Sequence, residues 1–229
     1  MPHLISLEFT DAWRSAYPGT SVGLLAMTSV RNAPPDDGLR ERLRSLEAAV
    51  RARHDGRSRA DLERQPAMRP YVEHYRRFGK TYHVLLQLES VAFRGRPLAA
   101  EQCLVSAMFA AEIDDLLLTA GHDLAAVRPP LVADVTRRDE RYAGISGRDI
   151  DVKDGDLSLR DGEGIISSVV YGPDHRTRLQ PETRSALFTT YALPGISDAD
   201  LERHLRGIEA LVRAACPTAD TELIATCRP

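Results

Sequence analysis

Lysine is almost missing from this chain of 229 residues: of its 30 basic residues, only Lys80 and Lys153 are not arginine. An arginine bias suits phosphate recognition, and beside abundant alanine it also reads as genome composition. Cysteine is sparse. Cys103, Cys216 and Cys227 are odd in number and show no CxxC spacing, which argues against a disulfide framework or a zinc site and points to reduced thiols in the cytoplasm. No apolar run is long enough to span a bilayer. The opening MPHLISLEFTDAW lacks the basic region and apolar stretch of a signal peptide. There is no GxSxG elbow, phosphate-binding loop, dinucleotide fingerprint or HExxH, and no His/Cys/carboxylate cluster at ligand spacing, so neither cofactor nor metal is expected. A net charge of −3 argues against coating nucleic acid by bulk electrostatics. With 43% hydrophobic and 28% charged residues, the composition is that of a soluble globular protein able to bury a core.

What is present divides in two. The helix-rich half, about 1–128, opens with an alternating strand at Ile5–Phe9 and a buried strand at Ser21–Val30. Asn32–Asp37 breaks the chain and caps an amphipathic helix marked by Leu39, Leu43, Leu46 and Val50. Ser58 and Asp61 make a capping-box start, and a further helix restarts near Pro70. Thr81–Leu86 reads as a strand or the start of another helix. Leu98–Thr119 carries the longest apolar helical pattern, ended by Gly121-His122-Asp123-Leu124. The strand-rich half, about 129–195, offers Leu131–Val135, Leu157–Leu159, Ile165–Tyr171 and Ser185–Ala192, separated by Gly-, Asp- and Pro-rich turns. A last helix spans about 197–215, and Glu222–Thr226 is either a short strand or unstructured. Helices first and strands later predict one α+β domain over 1–229, with helices packed on a mixed, largely antiparallel sheet.

The chain is organised around Tyr71–Leu98, where a helix ending in RRFGK gives way to an apolar run carrying Glu89. Cations at a helix C-terminus match the macrodipole, and Gly79 stands where a left-handed cap is wanted. This segment reads either as a capped helix entering the core or as a cationic rim at a pocket mouth. Arg76, Arg77, Lys80, Arg94 and Arg96, interleaved with Tyr75, Phe78 and Phe93, have the makings of a phosphate grip with stacking rings; a solvated charged face is the alternative. Glu89 needs a partner if buried, with Arg76, Arg77 or Arg94 as natural choices. His122 beside Asp123 can act as a general base, or Asp123 simply caps the next segment. Glu163, between two glycines, either points into a pocket or tops an Asp-Gly hairpin.

The order of these pieces resembles the editing (B3/B4) domain of the phenylalanyl-tRNA synthetase β subunit, in free-standing form. The residues that carry the resemblance are YVEHYRRFGK (Tyr71–Lys80), LESV around Glu89, the register from Leu98 to Asp123-Leu124, DGEGIISSVVYG (Asp161–Gly172) and the Thr183–Tyr191 strand. It covers roughly Leu39–Ala192. The resemblance implies a cleft that binds an aminoacyl group; in the synthetase that cleft hydrolyses tyrosine wrongly esterified to the phenylalanine tRNA, by a positioned water. It implies His122 and Glu163 as water-positioning groups and Arg77, Glu89, Phe109, Asp123 and Tyr171 as cleft residues. Arg76, Lys80, Arg94 and Arg96 would face RNA. The chain departs from the family where Ser106 and Phe109 stand for Asp and Asn, and where Ala120 takes the place of a histidine. The expected function is hydrolysis or binding of an aminoacyl ester in trans, with tRNA as the implied partner. The alternative is a non-catalytic module that binds RNA or a small molecule in a degenerate pocket.

Overall fold

The computed structural model describes residues 5–98 and 101–229. Its first half runs β1 (Leu7–Phe9), α1 (Asp11–Ala16), β2 (Ser21–Thr28), α2 (Asp37–Arg53), α3 (Arg59–Glu63), α4 (Arg69–Arg77), α5 (His83–Ala92), α6 (Cys103–Asp115) and β3 (Thr119–Asp123). Then follow β4 (Leu131–Val135), β5 (Arg141–Ala143), β6 (Asp149–Asp151), β7 (Leu157–Asp161), β8 (Gly164–Ser168), β9 (Gly172–Pro173), β10 (Ala186–Ala192), α7 (Asp198–Ala215) and β11 (Asp220–Cys227). The class is α+β, with helices on mixed sheets. Instead of one sheet there are two main ones, ordered β1-β4-β7-β8-β9 and β11-β2-β10-β3, with β5 and β6 forming a separate ribbon. Every ladder is antiparallel except β1 with β4.

Side-chain alternation along β2 divides the core. Val22, Leu24 and Ala26 face the five-stranded sheet, α4 and α5, while Leu25 and Met27 face α2, α6 and α7. Strand β2 is apolar on both faces because both are covered. Local chemistry places the helices as the sequence suggests. Asp36 accepts the Leu39 N–H at 2.8 Å to start α2, and Ser58 with Asp61 forms a capping box on α3. Segment 81–86 resolves to helix, since α5 begins at His83, and residues 222–226 lie inside strand β11.

The largest departure from expectation lies after α6. The apolar pattern over Leu98–Thr119 suggests a helix of that length, but α6 stops at Asp115 because Leu116 takes a left-handed conformation, φ 66°. No glycine signals this cap. Thr119–Asp123 is therefore a buried strand and not a terminating turn. Its ladder partner is β10, and it stands last in the four-stranded sheet; on its other side His122 bridges to Arg178 and the Asp123 N–H bonds to the Thr177 carbonyl, which leaves Thr119–Gly121 as its open edge.

Helix α4 is fastened by its tyrosines. Tyr71 donates to the Tyr191 carbonyl at 2.5 Å, Tyr75 to the Val169 carbonyl at 2.5 Å, and the Tyr71 ring stacks on Tyr82 at 4.7 Å. Beside them, buried Asp156 holds His74 Nε2 at 2.7 Å, while Arg77 donates to His74 Nδ1 at 2.6 Å. Since Nδ1 accepts, the ring proton sits on Nε2 and points at the carboxylate.

Candidate functional site

A cavity of about 230 Å³ wraps the edge of β3 at Thr119–Gly121. Helix α6 contributes Val105, Met108, Phe109 and Glu112, spaced as one helical face, and α5 contributes His83 and Gln87 one turn apart. Thr119, Ala120 and Gly121 supply the strand edge, and Ser168, Gly172 and Tyr191 close the far side. A Cβ on Gly121 would stand 2.7 Å from Leu179 Cδ1, so a larger residue there would have to displace the Leu179 side chain.

Three polar groups stand out in this largely apolar wall. Glu112 is fully buried. Its Oε1 accepts the Thr119 N–H at 2.9 Å, and its Oε2 has no partner among the described residues. Burial raises its pKa to about 8, against the lowering effect of the Thr119 N–H. The carboxyl is therefore neutral at pH 7, with its proton on Oε2, a donor facing no acceptor. Gln87 Oε1 is likewise buried and unpartnered. His83 lies with Nδ1 2.9 Å from the Tyr75 hydroxyl, whose only proton goes to Val169 O. Nδ1 therefore carries the ring hydrogen and Nε2 is an acceptor. Burial lowers the His83 pKa to about 4, so the ring stays neutral at pH 7. One donor and two acceptors in an apolar enclosure suit a small ligand that carries a carbonyl and an amino group.

Of the residues expected at a cleft, only Phe109 lines this cavity. Ala120 also lines it, while Ser106 is buried and bonded to the Gln102 carbonyl at 3.0 Å. His122 is wholly enclosed and does not line the cavity. Its Nδ1 meets Thr177 Oγ1 at 2.8 Å, its Nε2 is unpartnered, and burial lowers its pKa to about 3. Asp123 accepts from Thr183 Oγ1 at 2.8 Å and from the Ala125 N–H at 3.0 Å, closing the turn after β3. Glu163 sits exposed at the tip of the β7–β8 hairpin and pairs outward with Arg176 at 3.2 Å and Arg128 at 3.7 Å. Glu89 is buried and paired, but with Arg59 at 3.2 Å and not with Arg76, Arg77 or Arg94.

The basic cluster separates. Arg76 pairs with Glu63 at 2.6 Å, and Arg94 and Arg96 follow α5, whose ten residues extend about 15 Å from His83. The chain's two lysines, 73 positions apart in sequence, converge instead. Lys80 Nζ lies 4.9 Å from the centre of the Tyr171 ring, the Tyr171 hydroxyl accepts the Lys153 N–H at 3.2 Å, and Lys153 Nζ donates to the Phe78 carbonyl at 2.9 Å. Arg77 lies 5.3 Å from the centre of the Tyr17 ring. This group adjoins the cavity: Tyr171 precedes the wall residue Gly172, and Lys80 lies one turn before His83.

A larger and shallower groove of about 760 Å³ runs past Ile5, Thr28, Leu124, Arg128 and Glu222. None of the residues along it bears a buried polar atom without a partner. Size favours that groove; chemistry favours the cavity at β3. Among the described residues no group of three His, Cys, Asp or Glu side chains is placed to hold a metal ion, and no helix is long and apolar enough to cross a membrane.

The fold is α+β, with a largely apolar cavity that carries a buried, neutral acid. No family model matches the chain, and no curated protein matches it. Among solved structures it is similar to an N-terminal fragment of the phenylalanyl-tRNA synthetase β-subunit from Pyrococcus horikoshii, at 8% identity and a TM-score of 0.49. That likeness covers 99% of this chain and 55% of the solved one, so the chain spans about half the length of its structural neighbour. A likeness this distant assigns no function.

None of the three polar groups in the wall is among the site residues expected from the sequence. Gln87 and Glu112 gave a signal nonetheless: Glu112 falls seven residues after Val105, within an apolar helical stripe. A carboxylate at such a position must be paired, neutral or functional.

Proposed function

We propose that the cavity at β3 receives the aminoacyl part of an ester carried on RNA, and that the protein binds or hydrolyses this ester in trans. One observation carries the reading: the neutral Glu112 carboxyl, with Oε2 unpartnered in an apolar wall. Such a donor pairs with an ester carbonyl, while Gln87 Oε1 and His83 Nε2 suit an α-amino group. Phe109 and Met108 bound the side-chain space. Lys80, Lys153 and Arg77, which make no ion pair among the described residues, would meet phosphates, with Tyr171 held ready to stack.

A specific observation favours binding without turnover. His122 is fully buried and Glu163 is exposed, and neither of these side chains expected to position water lines the cavity. The test is deacylation of a panel of mischarged tRNAs, with matched binding to uncharged tRNA. Hydrolysis of any member, lost in Glu112→Ala or Phe109→Ala and retained in Glu163→Ala, supports the enzyme. Binding without hydrolysis supports the module. For binding, Lys80→Ala and Lys153→Ala should each lower the slope of log K against log salt by about 0.7. No binding and no hydrolysis would overturn both readings.

A further inference from the structure

The two main sheets end in four outer strands, and three of these are blunted. Strands β1 and β9 are three and two residues long, and β3 is closed in part by the bridge from His122 to Arg178. Strand β11 is different. It spans eight residues, pairs with β2 on one side, and makes no backbone hydrogen bond on the other among the described residues. A bulge between Thr221 and Leu223 disturbs its start, but Leu223–Cys227 then runs in unbroken register against β2, from Ala26 back to Val22. This stretch, LIATC, holds no charge and no proline to discourage a further strand. Its side chains are half-buried. Leu223 and Cys227 rest on the core beside the five-stranded sheet, and Ile224 rests on the core under α7.

We infer that the open edge of β11 docks a second copy of this chain, antiparallel, about a two-fold axis at Ala225. The regular stretch Leu223–Cys227 has Ala225 at its midpoint, so two copies meet along its whole length in one register. At the axis Ala225 faces its own copy, and its small side chain lets the strands close; Ile224 falls opposite Thr226, and Leu223 opposite Cys227. A strand that pairs with itself needs complementary ends, and this one has them. Just beyond the regular stretch, Glu222 of one copy falls opposite Arg228 of the other. Glu222 accepts from Thr28 Oγ1 at 3.0 Å and makes no ion pair among the described residues, and Arg228 is an exposed cation beside Asp198. The two four-stranded sheets merge into one of eight, in the order β3-β10-β2-β11 and then its reverse. Strand β3 of each copy then stands at an outer edge, so the two cavities lie seven strand spacings, roughly 34 Å, apart and stay open. The dimer neither needs nor blocks the cavity, and its failure would leave the function proposed there untouched.

Sedimentation equilibrium of the full chain is the first measurement. A ladder of five residue pairs is small for a specific interface, so dimers should form with a Kd on the order of 1–100 µM. Ala225→Lys sets two ammonium groups against each other at the axis and should weaken the dimer by about tenfold or more, with circular dichroism confirming that the variant folds. Leu223→Cys reads the register directly and does not depend on the lysine variant. Along one strand positions 223 and 227 lie about 13 Å apart, too far for a disulfide within one chain, whereas across the axis they are opposed. Cys103 and Cys216 are buried and do not compete. Oxidised Leu223→Cys should therefore give a covalent dimer in which peptide mapping joins the introduced thiol to Cys227 of the partner subunit. Adding Cys227→Ser should abolish that link. Wild-type protein that stays monomeric up to about 1 mM overturns the inference. So does a dimer that folded Ala225→Lys leaves intact, or one in which the introduced thiol does not link to Cys227 of the partner subunit.

Discussion

Replacing Glu112 by glutamine tests the site without requiring a ligand. The amide keeps the acceptor for the Thr119 N–H and a donor where Oε2–H stood, but it cannot ionise. In the unfolded chain Glu112 titrates near 4.5; in the folded protein burial raises this to about 8. Between these limits the folded state holds one proton more than the unfolded state, so its stability falls as pH rises and levels off above about 8. Each unit is worth about 1.4 kcal/mol, which makes the full difference on the order of 5 kcal/mol and that at pH 7 about 3. Glu112→Gln removes this slope. Urea unfolding of the two proteins from about pH 4.5 to pH 9 should therefore give midpoints that converge at the acid end and separate steadily toward pH 8, by about 1–3 M at the m-values common for small domains. The remaining groups titrate alike in both proteins, so the difference isolates position 112. A flat difference, or a glutamine variant less stable than wild type at pH 8, would mean that the carboxyl is ionised and partnered, and the donor assigned to the cavity would not exist.

Other perturbations bear on the same frame. Burial lowers the His122 pKa to about 3, so its contribution is fully present above about 6.5 and is lost as pH falls; His122→Gln should flatten acid unfolding over that window, as read by circular dichroism. Tyr71→Phe leaves the Tyr191 carbonyl without its donor and should cost about 1–3 kcal/mol in urea unfolding; no change would show that the bond is replaced. Gly121→Ala drives a methyl against Leu179 and should destabilise by about 1–3 kcal/mol, with a matching loss of ligand binding if Leu179 moves into the cavity. An unchanged melting temperature would show that Leu179 yields freely.

Much of the scaffold was legible because local chemistry wrote it. Asp36, Ser58 and Ser197 cap the helices they precede, and the apolar period of α2 and α7 fixed their buried faces. The pairing of strands was not legible. Nothing in residues 21–28 announces that β2 lies between β10 and β11, because pairing partners at such separation leave no mark on local composition. The end of α6 was hidden for a related reason: Leu116 accepts a left-handed conformation because tertiary packing holds it there, against its own preference. That one turn converts His122 from a loop residue into a core one, and with it the expected position of the site. Glu89 illustrates the opposite case. The requirement for a cation was correct, but the three arginines expected, Arg76, Arg77 and Arg94, did not include the partner, which proved to be Arg59, on α3. Glu112 met the same requirement in the same kind of apolar stripe and found no cation among the described residues.

The central position of β2 has a consequence for synthesis. Its register binds Ser21 to Ala192 on one side and Thr28 to Asp220 on the other, so a ribosome must translate nearly two hundred residues between making this strand and making its last neighbour. Until then an apolar ribbon, buried on both faces in the finished molecule, waits with open hydrogen-bonding edges. Helices α2 to α6 emerge in that interval and can shield its faces, but only β10 and β11 can satisfy its backbone. The nascent chain is thus open to self-association until β10 and β11 have emerged.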